Sequence, residues 1–287
     1  MTEIGLGGWW DGTRPSNRRG GRHRRIVRGA SRLGLLVSTL PRPHDPIMLC
    51  LAAVLACSAL FWAFPAIDLA ASDAFYRAGA GFPLSQDPLL IAFRKSSDLV
   101  LALLFTGLLA RLVWRVARQG FKALAGARRS VFLIAALAIG PGLVVNGVFK
   151  SWWGRPRPVA VDMFGGEAPY QTVWRISDWC QSNCSFVSGE ASSAAWLVAA
   201  TVLIPARLRP VLAPPVVLYA LLLSLNRLAF GGHFLSDIVL SWAISGLVFT
   251  VLYRVMVSAP GVATRARVRA WKGVSWASAR TTPRLPL

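Results

Sequence analysis

Charge is scarce in this chain. Only 15% of its 287 residues are charged against 54% that are hydrophobic, and the mean hydropathy is +0.50. So apolar a composition excludes an ordinary soluble domain and points to a polytopic membrane protein. Carboxylates are scarcest of all, with 12 Asp and Glu against 32 Lys and Arg and a net charge of +20. No acidic group between the apolar runs resembles a metal site. Internal repeats are absent, as are the paired broken helices that a transporter would use. A secretory signal peptide is not expected either, because the first apolar run is too long for one and lies too deep in the chain. The arginine excess does not indicate a nucleic-acid reader. The arginines stand mostly at the chain ends and between apolar segments, which is the pattern that orients membrane spans.

Six apolar segments can be marked. They are Ile47–Ile67, a run from after Asp98 through Ala110, Ser130–Phe149, a run from Gly189 to near Ile204, about Val211–Leu225, and Ile238–Tyr253. They predict an all-α polytopic membrane protein, a six-transmembrane-helix bundle occupying residues 47–257. The second run and the last three are short for a span of roughly 20 residues. Their polar ends are expected to dip into the protein interior, where backbone at membrane depth can be satisfied. Residues 1–46 read as a basic, mostly disordered cytoplasmic tail, and 258–287 as a second basic tail.

Loop charges give the orientation. Of the 32 Lys and Arg, nine precede the first span, six sit in the second connection, two in the fourth, and seven follow the last span. The remaining eight lie on the other side. The positive-inside rule then puts both termini in the cytoplasm. It puts 150–190 and 227–237 together on the outer face.

Those two stretches carry the chemistry. His233 and Asp237 are four apart, so a helix beginning near His233 would bring them within side-chain reach. A carboxylate there can hold an imidazole in one tautomer and leave its other nitrogen free to attack. Arg227 adds a fork-shaped cation suited to phosphate. Lys150, Arg155 and Arg157 stand upstream, and together these residues read as a phosphate site with a nucleophilic histidine. Ser188 is a plausible N-cap, and Gly189 lets backbone come close to an anion at the helix start. Cys180 and Cys184 lie in the outer loop and either form a small disulfide bracing the site or stand as two thiols. Cys50 and Cys57, inside the first span, read as packing residues.

Lys150 with Arg157-Pro158, Ser188-Gly189-Glu190, and Asn226-Arg227 with His233 and Asp237 resemble, in order and spacing, the three motifs of the type 2 phosphatidic acid phosphatase family. The resemblance covers roughly residues 47–255. It implies that His233 attacks phosphorus and forms a phosphohistidine, oriented by Asp237. Lys150, Arg157 and Arg227 would neutralise the phosphate oxygens, and Ser188 and the Gly189 amide would complete the cradle. With three cations and a helix start to balance the phosphate, no metal or cofactor is expected. Two positions depart from the family pattern. Asn226 stands in place of Ser, and Glu190 in place of the His that serves as general acid.

Glu190 leaves three readings open. It is itself the acid, or the leaving group is good enough to need little acid, or the site is a weakened relative that binds lipid phosphate without turnover. Trp152, Trp153, Tyr170, Trp174 and Trp179 cluster around the motifs, either flanking a lipid substrate or forming an ordinary aromatic belt. The expected protein is a phosphatase of a lipid phosphate or pyrophosphate, in a bacterial inner membrane with its site facing the periplasm. Candidate substrates are phosphatidic acid, phosphatidylglycerol phosphate, undecaprenyl pyrophosphate and the phosphates of lipid A. A lipid phosphotransferase on the same fold is the rival enzyme.

Overall fold

The structure, a computed structural model, describes residues 45–258. Nearly all of the two expected basic tails lies outside the described residues. Within them the chain is helical, and the only β pairing is two isolated bridges, Arg77 with Gly81 and Val161 with Ala168. The principal helices are α1 (Pro46–Ala63), α2 (Ala66–Asp73), α3 (Pro88–Gln119), α4 (Arg128–Leu137), α5 (Gly189–Ala200), α6 (Arg209–Ala229) and α7 (Leu235–Tyr253).

Among the described residues, five stretches are long and apolar enough to cross a membrane: Pro46–Ala63, Pro88–Gly126, Arg128–Trp152, Arg209–Ala229 and Leu235–Ser258. The sixth expected span is the exception. Its helix, α5, has 12 residues and continues only through a 3-10 turn, Thr201–Leu203. Twelve residues rise about 18 Å, well short of a hydrocarbon core of about 30 Å. The helical class is therefore borne out, but five helices rather than six are long enough to cross, and the sixth expected span is a short, buried helix. In the other direction, the second span is far longer than its apolar run. Asp87 caps α3 by accepting from the Leu90 amide at 2.9 Å, and Pro88 supplies a preformed first turn. The helix thereby takes in Arg94, Lys95 and Asp98, which end the apolar run in sequence but do not oppose helix.

α5 is the centre of the bundle because its residues are small. Ala191, Ser192, Ala194 and Ala195 are buried and let α6 and α7 approach closely. The Ser192 and Ser245 hydroxyls meet at 2.7 Å between α5 and α7. Trp196 is fully buried in the core, and its indole N–H donates to the Leu133 carbonyl of α4 at 2.7 Å. A satisfied buried donor of this kind contributes about 1 kcal/mol net.

After Leu137 the α4 segment widens into π turns over Ala138–Phe149, with Pro141 inside, before one last turn at Lys150–Trp152. Pro141 has no N–H to give and disturbs the α ladder. Within the segment the Asn146 side-chain amide donates to the Pro141 carbonyl at 2.7 Å. These wide turns set the rotation at which Lys150 leaves the helix. π segments of this kind recur at functional sites.

Candidate active site

His233 precedes α7 rather than opening it, since the helix begins at Leu235. Its Nδ1 lies 2.7 Å from the Ser185 carbonyl. A carbonyl only accepts, so Nδ1 carries the proton and Nε2 keeps its lone pair. Asp237 was expected to hold the imidazole directly, but its Oδ2 is 4.0 Å from Nδ1. That oxygen instead accepts from the Ser185 hydroxyl at 2.5 Å and the Phe234 amide at 2.9 Å. Asp237 thus fixes Ser185, and Ser185 fixes His233. The imidazole is 1% exposed. Burial pushes its pKa well below the ordinary histidine value, and the nearby positive charges of Arg227, Lys150 and Arg157 push in the same direction. The ring is therefore held neutral, as a nucleophile requires.

Behind this pair lies a buried ionic network. Arg155 and Asp68 are both 0% exposed. The Arg155 guanidinium bonds Asp237 Oδ1 at 2.5 Å and Asp68 Oδ2 at 2.9 Å, and its Nε donates to the Gln171 carbonyl. Asp68 in turn accepts from the Ser236 amide at 2.8 Å and from the Tyr170 hydroxyl at 3.2 Å. Desolvation works against the charge on Arg155, but Asp237 and Asp68 overcome it and hold the pKa above the usual arginine value. Burial, with Asp68 beside it, raises the Tyr170 phenol. Arg155 is thus a clamp on Asp237, whereas the sequence reading grouped it with the phosphate cations. One guanidinium serves two buried carboxylates here, so removing it leaves both unpaired in the interior.

The remaining cations meet on the other side of His233. Asn183 binds two of them. Its side-chain oxygen accepts from Lys150 Nζ at 3.1 Å, and its carbonyl accepts from Arg157 Nη2 at 2.9 Å. Asn183 has a left-handed φ of 50° and lies inside the short loop closed by the Cys180–Cys184 disulfide, whose Cα atoms are 5.7 Å apart. Asn is among the few residues other than Gly that take this conformation readily. Lys150 also lies against the start of α5: a Cβ on Gly189 would come within 3.3 Å of Nζ and 2.9 Å of Asn146 Oδ1. Only glycine leaves the ammonium in place. Ser188 caps that helix, its buried hydroxyl accepting from the Ala191 amide at 3.3 Å.

Glu190, in the first turn of α5, faces the cations. Arg94 of α3 donates Nη2 to Oε1 at 2.8 Å and Nε to Oε2 at 3.1 Å. Arg227 Nε stands 3.1 Å from Oε2 as an ion pair. The Arg227 guanidinium packs against Gly232, where a Cβ would fall 2.2 Å from Nη2. Asn226, the replaced serine, donates its amide to the Leu90 carbonyl of α3 at 3.3 Å, one turn before Arg94. The substitution thus ties α6 to the helix that presents Arg94.

The structure brings His233, Asp237, Glu190, Lys150, Arg157, Arg227, Ser188 and Gly189 to one end of the bundle. The sequence reading missed Arg94, Asp68, Asn183 and Ser185. Two left a signal, since Arg94 interrupts the approach to an apolar run and Asp68 is a lone carboxylate just after one. Asn183 and Ser185 left none, because each acts in part through a backbone carbonyl, which any residue carries. The aromatic residues divide. Trp153 and Trp174 pack with Phe149 and Phe186 in one cluster, while Trp152 and Trp179 are exposed.

Residues 130–259 match the model of the PAP2 superfamily. Three curated relatives are each named lipid A 4'-phosphatase. The one from Rhizobium leguminosarum is 38% identical over 211 residues, 68% of this chain and 89% of the relative. The one from Rhizobium etli is 47% identical over 126 residues, 44% of this chain and 49% of the relative. The one from Francisella tularensis subsp. novicida is 44% identical over 133 residues, 44% of this chain and 60% of the relative. The chain thus spans about half of the R. etli protein and most of the R. leguminosarum one. No solved structure matches the chain.

Proposed function

This chain belongs to the PAP2 superfamily, and we propose that it is a membrane phosphatase that removes the 4'-phosphate of lipid A or a closely related phosphorylated glycolipid. The observation that carries this reading is the state of His233. It is buried, protonated on Nδ1 by its bond to Ser185, and free at Nε2 beside three cations. The relatives, each a lipid A 4'-phosphatase by name, suggest the substrate.

In the proposed reaction Nε2 attacks phosphorus in line with the sugar oxygen. The N–P bond forms as the P–O bond breaks. Lys150, Arg157 and Arg227 stabilise the charge on the equatorial oxygens, which is the main task in phosphoryl transfer. The incoming phosphate displaces the Glu190 carboxylate from Arg227. Glu190 then takes up a proton from solvent, stays tethered to Arg94, and delivers that proton to the leaving alkoxide. In the second half, water attacks the phosphohistidine, Glu190 accepts its proton, and phosphate departs from His233. A sugar alkoxide is a poor leaving group, so this substrate needs an acid.

The site is proposed to face the periplasm, with both chain ends cytoplasmic, on the evidence of the Lys and Arg distribution. In the same proposal α5 and its 3-10 extension form the sixth element of a membrane domain over residues 47–257. One observation favours a second reading, a lipid-phosphate-binding relative without turnover: the cation that would receive phosphate is already paired with Glu190. Phosphate release by the purified protein in detergent decides between them. The panel is lipid A, phosphatidic acid and undecaprenyl pyrophosphate, with His233→Ala beside wild type. Release from lipid A that vanishes in His233→Ala supports the phosphatase. Binding without release supports the second reading.

A further inference from the structure

At the end of the bundle away from His233, four arginines surround one hollow. Arg111 and Arg115 come from the last turns of α3, and Arg128 and Arg129 open α4. They line a cavity of about 440 Å³. Arg94 and Arg115 are both on α3, 21 residues apart, which places this cavity roughly 32 Å along the helix from the active site. Among the described residues, none of the four makes an ion pair with a carboxylate.

Two further features of the hollow suit an anion. No side chain caps the start of α4, where Ala127 holds the N-cap position. The first-turn amides of a helix have no partner within it and carry the positive end of the dipole. Ser130 also lines the cavity and is 6% exposed. Leu203 and Val257 provide an apolar wall beside these polar groups. Orientation of the spans accounts for arginines at this end. It does not account for four of them converging on one hollow without a carboxylate. Their mutual repulsion is relieved by a bound anion.

We propose that this cavity is a second, non-catalytic binding site for a phosphate group, that of an anionic phospholipid in the adjoining leaflet. The arginines and the α4 start take the phosphate, and Leu203 and Val257 meet the first carbons of the lipid.

The test is the thermal midpoint of the purified full-length protein in detergent. It is titrated with short-chain phosphatidylglycerol, short-chain phosphatidylcholine or inorganic phosphate. Three proteins are compared: wild type, Arg128→Gln/Arg129→Gln, and Arg118→Gln/Lys122→Gln, which removes two charges at the same end but outside the cavity. Phosphatidylglycerol is expected to raise the midpoint by several degrees in wild type and in the second variant. At least half of that shift should be lost in the first, and phosphatidylcholine should have little effect. Any contribution from the active site persists in both variants and subtracts out. A full shift from inorganic phosphate alone assigns the same site to free phosphate. Equal shifts in wild type and Arg128→Gln/Arg129→Gln, or equal losses in both double variants, overturn the proposal. Arg111→Gln repeats the test should the first variant fail to fold.

Discussion

Arg94 holds both carboxylate oxygens of Glu190, at 2.8 Å and 3.1 Å, from a helix 96 residues earlier in the chain. The pair sits at the edge of the site, with side chains 44% and 32% exposed, so its direct contribution to stability is small. Its importance is positional. In the proposed reaction Glu190 is the general acid, and Arg94 would keep it beside the leaving group when phosphate takes Arg227. Glu190→Gln is expected to slow release from lipid A by about 10²–10⁴-fold, the usual worth of an acid catalyst. The same variant should lose much less on a pyrophosphate, whose leaving group needs little help. Arg94→Gln should reduce kcat/KM by no more than about tenfold, in line with an exposed pair. Equal losses on both leaving groups in Glu190→Gln would sink the acid role.

Asp68 and Arg155 make the opposite kind of pair, with neither side chain exposed at all. Arg155→Met strands the Asp68 and Asp237 carboxylates together in the interior. Leaving buried charge without its partner costs about 3–5 kcal/mol. A sharply lower unfolding midpoint in detergent is expected. Asp68→Asn should lower it less, because Arg155 stays paired one to one with Asp237. A midpoint within a degree or two of wild type for Arg155→Met would show that the network is not what holds Asp237.

How much of this was legible in the sequence differs by residue. Lys150, Arg157, Arg227, His233 and Asp237 announced themselves, because phosphate chemistry needs those side chains and membrane segments rarely carry them. The helical class followed from the apolar runs. Boundaries failed where polarity and helicity part company. Arg94, Lys95 and Asp98 end the apolar run but not α3, and Gly189–Ala200 is apolar enough for a span yet too short. Direct contact between His233 and Asp237 was inferred from a spacing of four, which holds only if both lie in one helix. The helix starts two residues later, and Ser185, invisible to any spacing rule, fills the gap.

Asn183 predicts a redox dependence. Its left-handed backbone, inside the Cys180–Cys184 loop, presents one oxygen to Lys150 and another to Arg157. Reduction, or Cys180→Ser/Cys184→Ser, frees that loop. The expected result is a KM raised by about threefold to tenfold, which is about 0.7–1.4 kcal/mol of binding, with a smaller change in kcat. Asn183→Ala should raise KM too, through Lys150 alone, since the Arg157 contact uses a backbone oxygen. An unchanged KM in the reduced protein would show that the loop does not position the cations.

The neutral state of His233 can be read directly. Its folded pKa is depressed below the ordinary 6.5. As pH falls through 6.5, the unfolded chain therefore takes up a proton before the native site does, and stability declines on the acid side. Protonation removes the Nε2 lone pair, so the acid limb of activity from this group also lies below 6.5. The chain has only two other histidines, His23 and His44. Replacing both with Gln isolates the His233 ring for nitrogen NMR. The imidazole should remain neutral, with Nδ1 protonated, through pH 6.5 and below. A half-protonated ring at or above 6.5 would contradict the assignment.

The covalent intermediate is the most direct test of the whole account. Protein in detergent is mixed briefly with lipid A carrying a labelled 4'-phosphate, quenched in denaturant, and split into acid and alkali aliquots. A phosphohistidine survives alkali and is lost in acid, whereas a carboxyl phosphate is lost in alkali. The account predicts alkali-stable, acid-labile label on the wild-type chain and mapped to His233, and none on His233→Ala. Phosphate release by His233→Ala at the wild-type rate, or label on another residue, would contradict it.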